Sequence, residues 1–307
     1  RGYSNPWLVG VSLFATRTST ISYLSMPGEA LGKGPGMLAT IAALPLVYLV
    51  VAYVLIPVYM QQRVTSAYEL LEAKLGVGIR LLGACLFLVL RLVWMALLIH
   101  LSAKALAVMA GLPPEWIPVI VLFTGLVAVV YTSIGGLRAV VVTDFFQTIL
   151  LFGGALLVIA TVTARLDGWQ WIPTSWHPHW DDQPFFSWDP QTRVSTVGTI
   201  VSMFVWFVCT AGGDQTAVQR YMATTDVAAA RRAAAAHLGV SAIVTLTLFL
   251  VGMALLGYVT ARPDELPTQM TREAAADFVF PWYISNRLPI GISGLVVSAM
   301  FAAAMSS

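Results

Sequence analysis

Charge is scarce in this sequence. Asp, Glu, Lys and Arg together fill 10% of 307 positions, against about a quarter in an ordinary soluble domain. A water-facing surface of this size cannot be built from so few ionised side chains. The formal net charge of +2 is equally thin, and the basic residues are scattered through short linkers instead of forming one stripe. Nucleic acid is thereby set aside as a partner. Cysteine is nearly absent: Cys85 and Cys209 both lie in apolar stretches, where a thiol behaves as a small hydrophobe, and two such residues make no disulfide framework. Also missing are a P-loop, a metalloprotease HExxH and a nucleophile elbow, so neither ATP coupling nor enzymatic chemistry has visible apparatus. No signal peptide is visible, because Pro6 and polar residues interrupt the first apolar segment.

Apolar residues take the place of charge. They make up 58% of the chain, with mean hydropathy +0.79, and they gather into runs long enough to cross a hydrocarbon core, which needs roughly 20 helical residues. About eight segments are expected, over 5–26, 36–60, 80–110, 115–134, 138–165, 196–213, 234–259 and 290–307. The expected class is an all-α, multi-pass membrane protein with the lipid bilayer as its solvent. Arg63, Lys74 and Arg80, then Arg138, then Arg220, Arg231 and Arg232 fall in alternate linkers, which the positive-inside rule assigns to one cytoplasmic side. The long connections 166–195 and 260–289 fall opposite. Trp169, Trp171, Trp176, Trp180 and Trp188 suit an interfacial layer there. The chain starts without methionine and ends inside an apolar run, as expected for a piece of a longer bundle.

Five places could carry chemistry. The first segment, PWLVGVSLFATRTSTISYLSMPGEALGKG, is dense in hydroxyls and holds Arg17 at its middle. Arginine at bilayer depth costs at least a few kcal/mol unless paired or hydrated. One reading is a helix broken around Ala15 to Ser19, whose freed carbonyls line a wet cavity; the other is hydroxyls bonding back to their own helix. In SAMFAAAMSS, Ala303, Ser306 and Ser307 share one helical face, which suits either a hard cation such as Na⁺ or close helix packing. Asp144, several residues into the fifth segment, is a functional candidate by its depth, or else an interfacial acid pairing with Arg138 or capping its helix. Arg91, one turn before Trp94, either clamps a carboxylate inside the bundle or reaches for headgroups. His177, His179, Asp181 and Asp182 in SWHPHWDD read as solvated turn chemistry more readily than as metal ligands.

SLFATRTSTISYLSMPGEA, VTSAYELLEAKLG, YTSIGGLRAVVVTDFFQ, VQRYMATTD and LPIGISGLVVSAMFAAAMSS together resemble the sodium/solute symporter family, and among its branches the bacterial sialic acid symporters. The resemblance implies a leucine-transporter-type inverted-repeat bundle in a single transmembrane domain, with residues 1–165 as the first repeat and 196–307 as part of a second, truncated one. It implies a multi-pass protein of the plasma (inner) membrane. It also implies Na⁺ as coupling ion, held by Ala15, Thr18, Ala303, Ser306 and Ser307, and a second Na⁺ in members where the acid matching Asp144 helps hold it with Ser306. The substrate position falls on Ser19 and Ser22, and Arg17, Arg91, Trp94 and Met37 are the further expected substrate residues. The chain departs from the branch in having Trp94 where an arginine meets the substrate carboxylate, with Arg91 one turn earlier, Met37 where a glutamine stands, and Arg17 where an uncharged residue is usual. The expected function is sodium-coupled symport of a small polar organic solute by alternating access, a sugar acid such as sialic acid being one case. The alternatives are a sodium/sugar or monocarboxylate symporter, or a non-transporting sensor using the same pocket.

Overall fold

The computed structural model describes residues 5–18, 20–62, 67–189, 191–265 and 272–306. Ser19 and Ser307 lie outside the described residues, as do the side chains of Arg138, Ala303 and Ser306. Helices account for nearly everything described. The first segment forms α1 (Pro6–Arg17) and α2 (Thr20–Lys33). A 3-10 turn then leads to α3 (Ala39–Val50), a π-turn at Val51–Leu55, and α4 (Ile56–Gln62). After α5 (Ala67–Leu75) come α6 (Val77–Met109) and α7 (Ile117–Arg165). The second half holds α8 (Thr196–Phe207), a π-turn at Val208–Gly213, α9 (Gln215–Met222), α10 (Val227–Ala261), α11 (Arg272–Arg287) and α12 (Ile290–Ser306).

Among the described residues, six stretches are long and apolar enough to cross a membrane by length and composition: Pro35–Gln61, Val77–Lys104, Pro114–Gly135, Val141–Arg165, Thr196–Gly213 and Val227–Ala261. They match the second to seventh expected segments. The break divides the first segment into helices of 12 and 14 residues, each short of the roughly 20 that a span needs.

One expected boundary is absent. The linker between the fourth and fifth segments, around Arg138, is no turn, because α7 runs unbroken for 49 residues. At 1.5 Å per residue it is about 74 Å long, more than twice a hydrocarbon core. Gly135 and Gly136 each cost up to about 1 kcal/mol against alanine, but unlike proline they keep the N–H that closes the helical ladder. Arg138 therefore sits within a helix and not in a turn.

Helix α10 is the axis of the bundle, packing against α1, α2, α7 and α3. Lipid offers helices no hydrophobic reward for meeting, so contact depends on close backbone approach through small residues. A Cβ on Gly10 would stand 2.5 Å from the Ala236 Cβ, and one on Gly252 would stand 2.5 Å from the Pro27 carbonyl oxygen. These positions let α1 and α2 lie end to end along α10. Tyr23, Leu248, Leu255, Tyr258, Phe280 and Tyr283 fill one core, and Val9, Leu13, Val47, Ala233 and Tyr221 fill the other.

The connection 166–195 is bound to the bundle. Trp180 Nε1 donates to the Leu31 carbonyl at 3.1 Å, Gln183 Nε2 to the Lys33 carbonyl at 3.1 Å, and the Asp181 amide to that same Lys33 carbonyl at 3.3 Å. These donors satisfy carbonyls at the end of α2 that have no helical partner. Gly34 makes room for the Trp180 ring and takes φ +90°, where a side chain would be strained. Trp171 and Trp180 are thus buried plugs, while Trp169, Trp176 and Trp188 are exposed as an interfacial layer requires. At the same end Glu265 joins α10 and α11: it accepts from the Tyr258 hydroxyl and pairs with Arg262 at 3.0 Å and Arg287 at 2.7 Å. The Tyr258 bond first, and Arg262 next, hold its carboxyl below the usual carboxylate range.

Candidate functional site: a broken helix beside a polar cavity

The first segment breaks where its hydroxyls are densest. Thr18 leaves the helix with φ −89° and ψ 101°, its N–H still donating to the Phe14 carbonyl, and α2 begins at Thr20. The end of a helix leaves its last carbonyls without intrahelical partners, and here that end lies inside a bundle, the one setting in which irregular backbone is tolerated at membrane depth. The alternative of an unbroken helix with back-bonded hydroxyls is thereby overturned.

Two spaces adjoin the break. A small one of about 20 Å³ is lined by Ala15, Thr18, Tyr23, Gln147, Thr148 and Thr247 among others, room for about one water-sized particle. Helix α12 packs on α7 beside it, where a Cβ on Gly154 would meet Val296 at 2.7 Å and the Tyr23 hydroxyl at 3.3 Å. Ala303 and Ser306 follow Val296 on the same helix, which also touches α1 and α2.

The second space is a cavity of about 800 Å³ reached by Arg17, Thr18, Ser22, Met37, His237 and Ser241. At its rim, Arg193 from the 166–195 connection bonds Glu29 of α2 at 2.6 Å and Asp181 at 2.5 Å. Of the expected substrate residues, Arg17, Ser22 and Met37 line this cavity. Arg91 and Trp94 do not; Trp94 lies on an outer face of α6 and Arg91 is half-buried one turn earlier. His179 shares the Leu31 carbonyl with Trp180 at 3.2 Å, so SWHPHWDD acts as a capping strap.

Asp144 is wholly buried, with 0% exposure. It accepts from Ser12 Oγ at 2.8 Å and Thr16 Oγ1 at 3.4 Å, both from α1, and lies 4.0 Å from the Arg220 guanidinium. Arg220 in turn donates to Ser12 at 3.2 Å, Thr16 at 2.6 Å and the Thr216 carbonyl at 3.2 Å. A buried acid, two hydroxyls and a buried base therefore tie α7, α1 and α9 together, while the expected partner Arg138 has its side chain outside the described residues. Sequence reasoning took Arg220 for a linker cation. Its signal was visible only as an amphipathic stretch, QTAVQRYM, that Asp214 caps through the Thr216 amide at 2.8 Å. His237, an isolated ionisable residue in an alanine run, was passed over although its depth marked it.

The model of the Sodium:solute symporter family matches residues 4–307. The chain is similar to a sodium/sialic acid symporter of Proteus mirabilis (strain HI4320), 31% identical over 98% of this chain and 60% of the relative. It is 30% identical to a second sodium/sialic acid symporter, from Aliivibrio fischeri, over 98% of this chain and 59% of that one. A sodium-dependent multivitamin transporter of Oryctolagus cuniculus is 29% identical over 97% of this chain and 46% of its own length. The chain thus spans about 60% of the length of the sialic acid relatives. Among solved structures, the substrate-bound outward-open state of a Na⁺-coupled sialic acid symporter superposes with a TM-score of 0.82 at 29% identity, covering 100% of this chain and 64% of that one. The bundle is accordingly of the leucine-transporter type. With a match that runs from residue 4 to the last position, the chain belongs to the sodium:solute symporter family.

Proposed function

We propose that this chain forms the ion- and substrate-binding part of a sodium-coupled symporter in the plasma (inner) membrane, and that its solute is a sugar acid such as sialic acid. The observation that carries the reading is the break at Thr18, which borders both a small space of about 20 Å³ and a cavity of about 800 Å³, large enough for a monosaccharide acid. Carbonyls released at a break are hard, uncharged oxygen ligands of the kind that suit Na⁺. Ala15 and Thr18 supply them at the break, and the Ala303 carbonyl with the Ser306 and Ser307 hydroxyls completes the proposed set. Sodium occupancy stabilises the state open to substrate, the solute binds at the break, and rocking of one helix bundle against the other releases both inward.

Asp144, with Ser306, is the candidate for a second sodium. Its carboxylate is engaged by Ser12, Thr16 and Arg220, so an ion there exchanges places with the guanidinium. The test is uptake of labelled sialic acid by proteoliposomes holding the full-length protein, with and without an inward sodium gradient. Accumulation that ignores the gradient would refute symport. Competition by neutral sugars as effective as that of the acid would refute the substrate class.

A further inference from the structure

From the pairing of Arg17 with His237 in the cavity wall, we infer an anion subsite: a carboxylate of the transported solute is held between the Arg17 guanidinium and the His237 imidazole. The inference rests on the transporter reading and assigns the acid-recognising role to residues other than Arg91.

Arg17 is the last residue of α1 and His237 lies on the face of α10 that receives α1; both reach the 800 Å³ cavity. His237 is 1% exposed, and neither of its ring nitrogens has a hydrogen-bond partner. Arg17 Nε is likewise buried without one, and no carboxylate forms an ion pair with this guanidinium among the described residues. Buried polar groups are hydrogen-bonded in the great majority of cases, so three orphaned nitrogens on two residues that reach this cavity call for a guest. Neutral imidazole donates from one ring nitrogen whichever tautomer it takes, and guanidinium only donates. The pair therefore presents donors and a full positive charge, which a carboxylate matches and a neutral sugar or a cation does not.

The acid in the cavity lining, Glu29, is already engaged, held by Arg193 at 2.6 Å. Ser22, Ser241 and Thr245 line the same cavity and suit the hydroxyls of the solute.

The experiment measures binding to the purified full-length protein in detergent, with no gradient, using sialic acid, its methyl ester and lactate as probes. Wild type should prefer the acid over the ester by at least about thirtyfold, the lower range for leaving a buried charge unpaired. Arg17→Gln should weaken the acid far more than the ester and so erase that preference, and Arg17→Lys should keep part of it. His237→Gln should weaken the acid about tenfold, as for a hydrogen bond to a charged group. The inference is overturned if acid and ester bind equally to wild type, if neither carboxylate binds at tens of millimolar, or if both variants weaken acid and ester alike. Should Arg17→Gln fail to fold, the wild-type comparison and His237→Gln still decide. Carboxylate binding that survives alongside absent sodium-driven flux would sink the transport reading and leave the subsite standing.

Discussion

Replacing Arg220 by Gln tests whether the buried network is one unit. Asp144 has no exposure and Arg220 has 6%, with their charges 4.0 Å apart. At an effective dielectric near 20, two unit charges at that distance attract by about 4 kcal/mol. Desolvation consumes much of this while both are present, but removal of one partner leaves the other charge buried, at about 3–5 kcal/mol. Arg220→Gln also loses the bonds to Ser12 at 3.2 Å and Thr16 at 2.6 Å. Asp144→Asn should cost a similar amount by stranding the guanidinium. The double variant should be less damaged than the sum, with a coupling of about 2 kcal/mol or more, because neither buried charge remains. The assay is a double-mutant cycle on thermal unfolding of the full-length protein in detergent, all four proteins scanned at one rate since unfolding of such proteins is often irreversible. Losses that simply add would refute the coupling, and so would an Arg220→Gln protein as stable as wild type.

The remaining predictions are direct. Ser306→Ala combined with Ser307→Ala should raise the sodium concentration needed for half-maximal uptake about tenfold or more while the protein still folds; unchanged sodium dependence places the ion elsewhere. Arg17→Gln should strengthen sodium binding measured without substrate, because a fixed cation one residue from Thr18 disfavours a second cation, and isothermal titration would register the shift. Gly252→Leu should separate α2 from α10, where even a Cβ meets the Pro27 carbonyl at 2.5 Å, lowering stability by roughly 1–3 kcal/mol or more, as overpacking does. Because the Glu265 carboxyl is held below its ordinary range, its contribution is present above the ordinary carboxylate pKa of about 4.3 and is lost as pH falls through the lowered value. Hydrogen exchange at the α10–α11 end should accelerate on acidification below about pH 4 in wild type and be less pH-sensitive in Glu265→Gln.

Composition and hydropathy by themselves determined the solvent, the helical class and the existence of most spans, because a backbone in hydrocarbon must be a helix or a strand of a closed barrel, and apolar runs of about 20 residues fit the rise of a helix where a strand crosses in about ten. The break near Thr18 was legible for the same reason: hydroxyls and an arginine at mid-membrane are too costly for an ordinary lipid-facing helix. Tertiary structure decided what depends on which helix meets which. Arg220 read as a linker charge because nothing local distinguishes a buried guanidinium from a solvated one; its partner lies 76 positions away. Trp171 and Trp180 read as interfacial because burial under a folded-back connection leaves no periodicity in the sequence. The continuity of α7 was hidden because glycine marks turns by preference and does not force them. His237 stood in an alanine run, and only the placement of α1 along α10 brought its ring to the same cavity as Arg17.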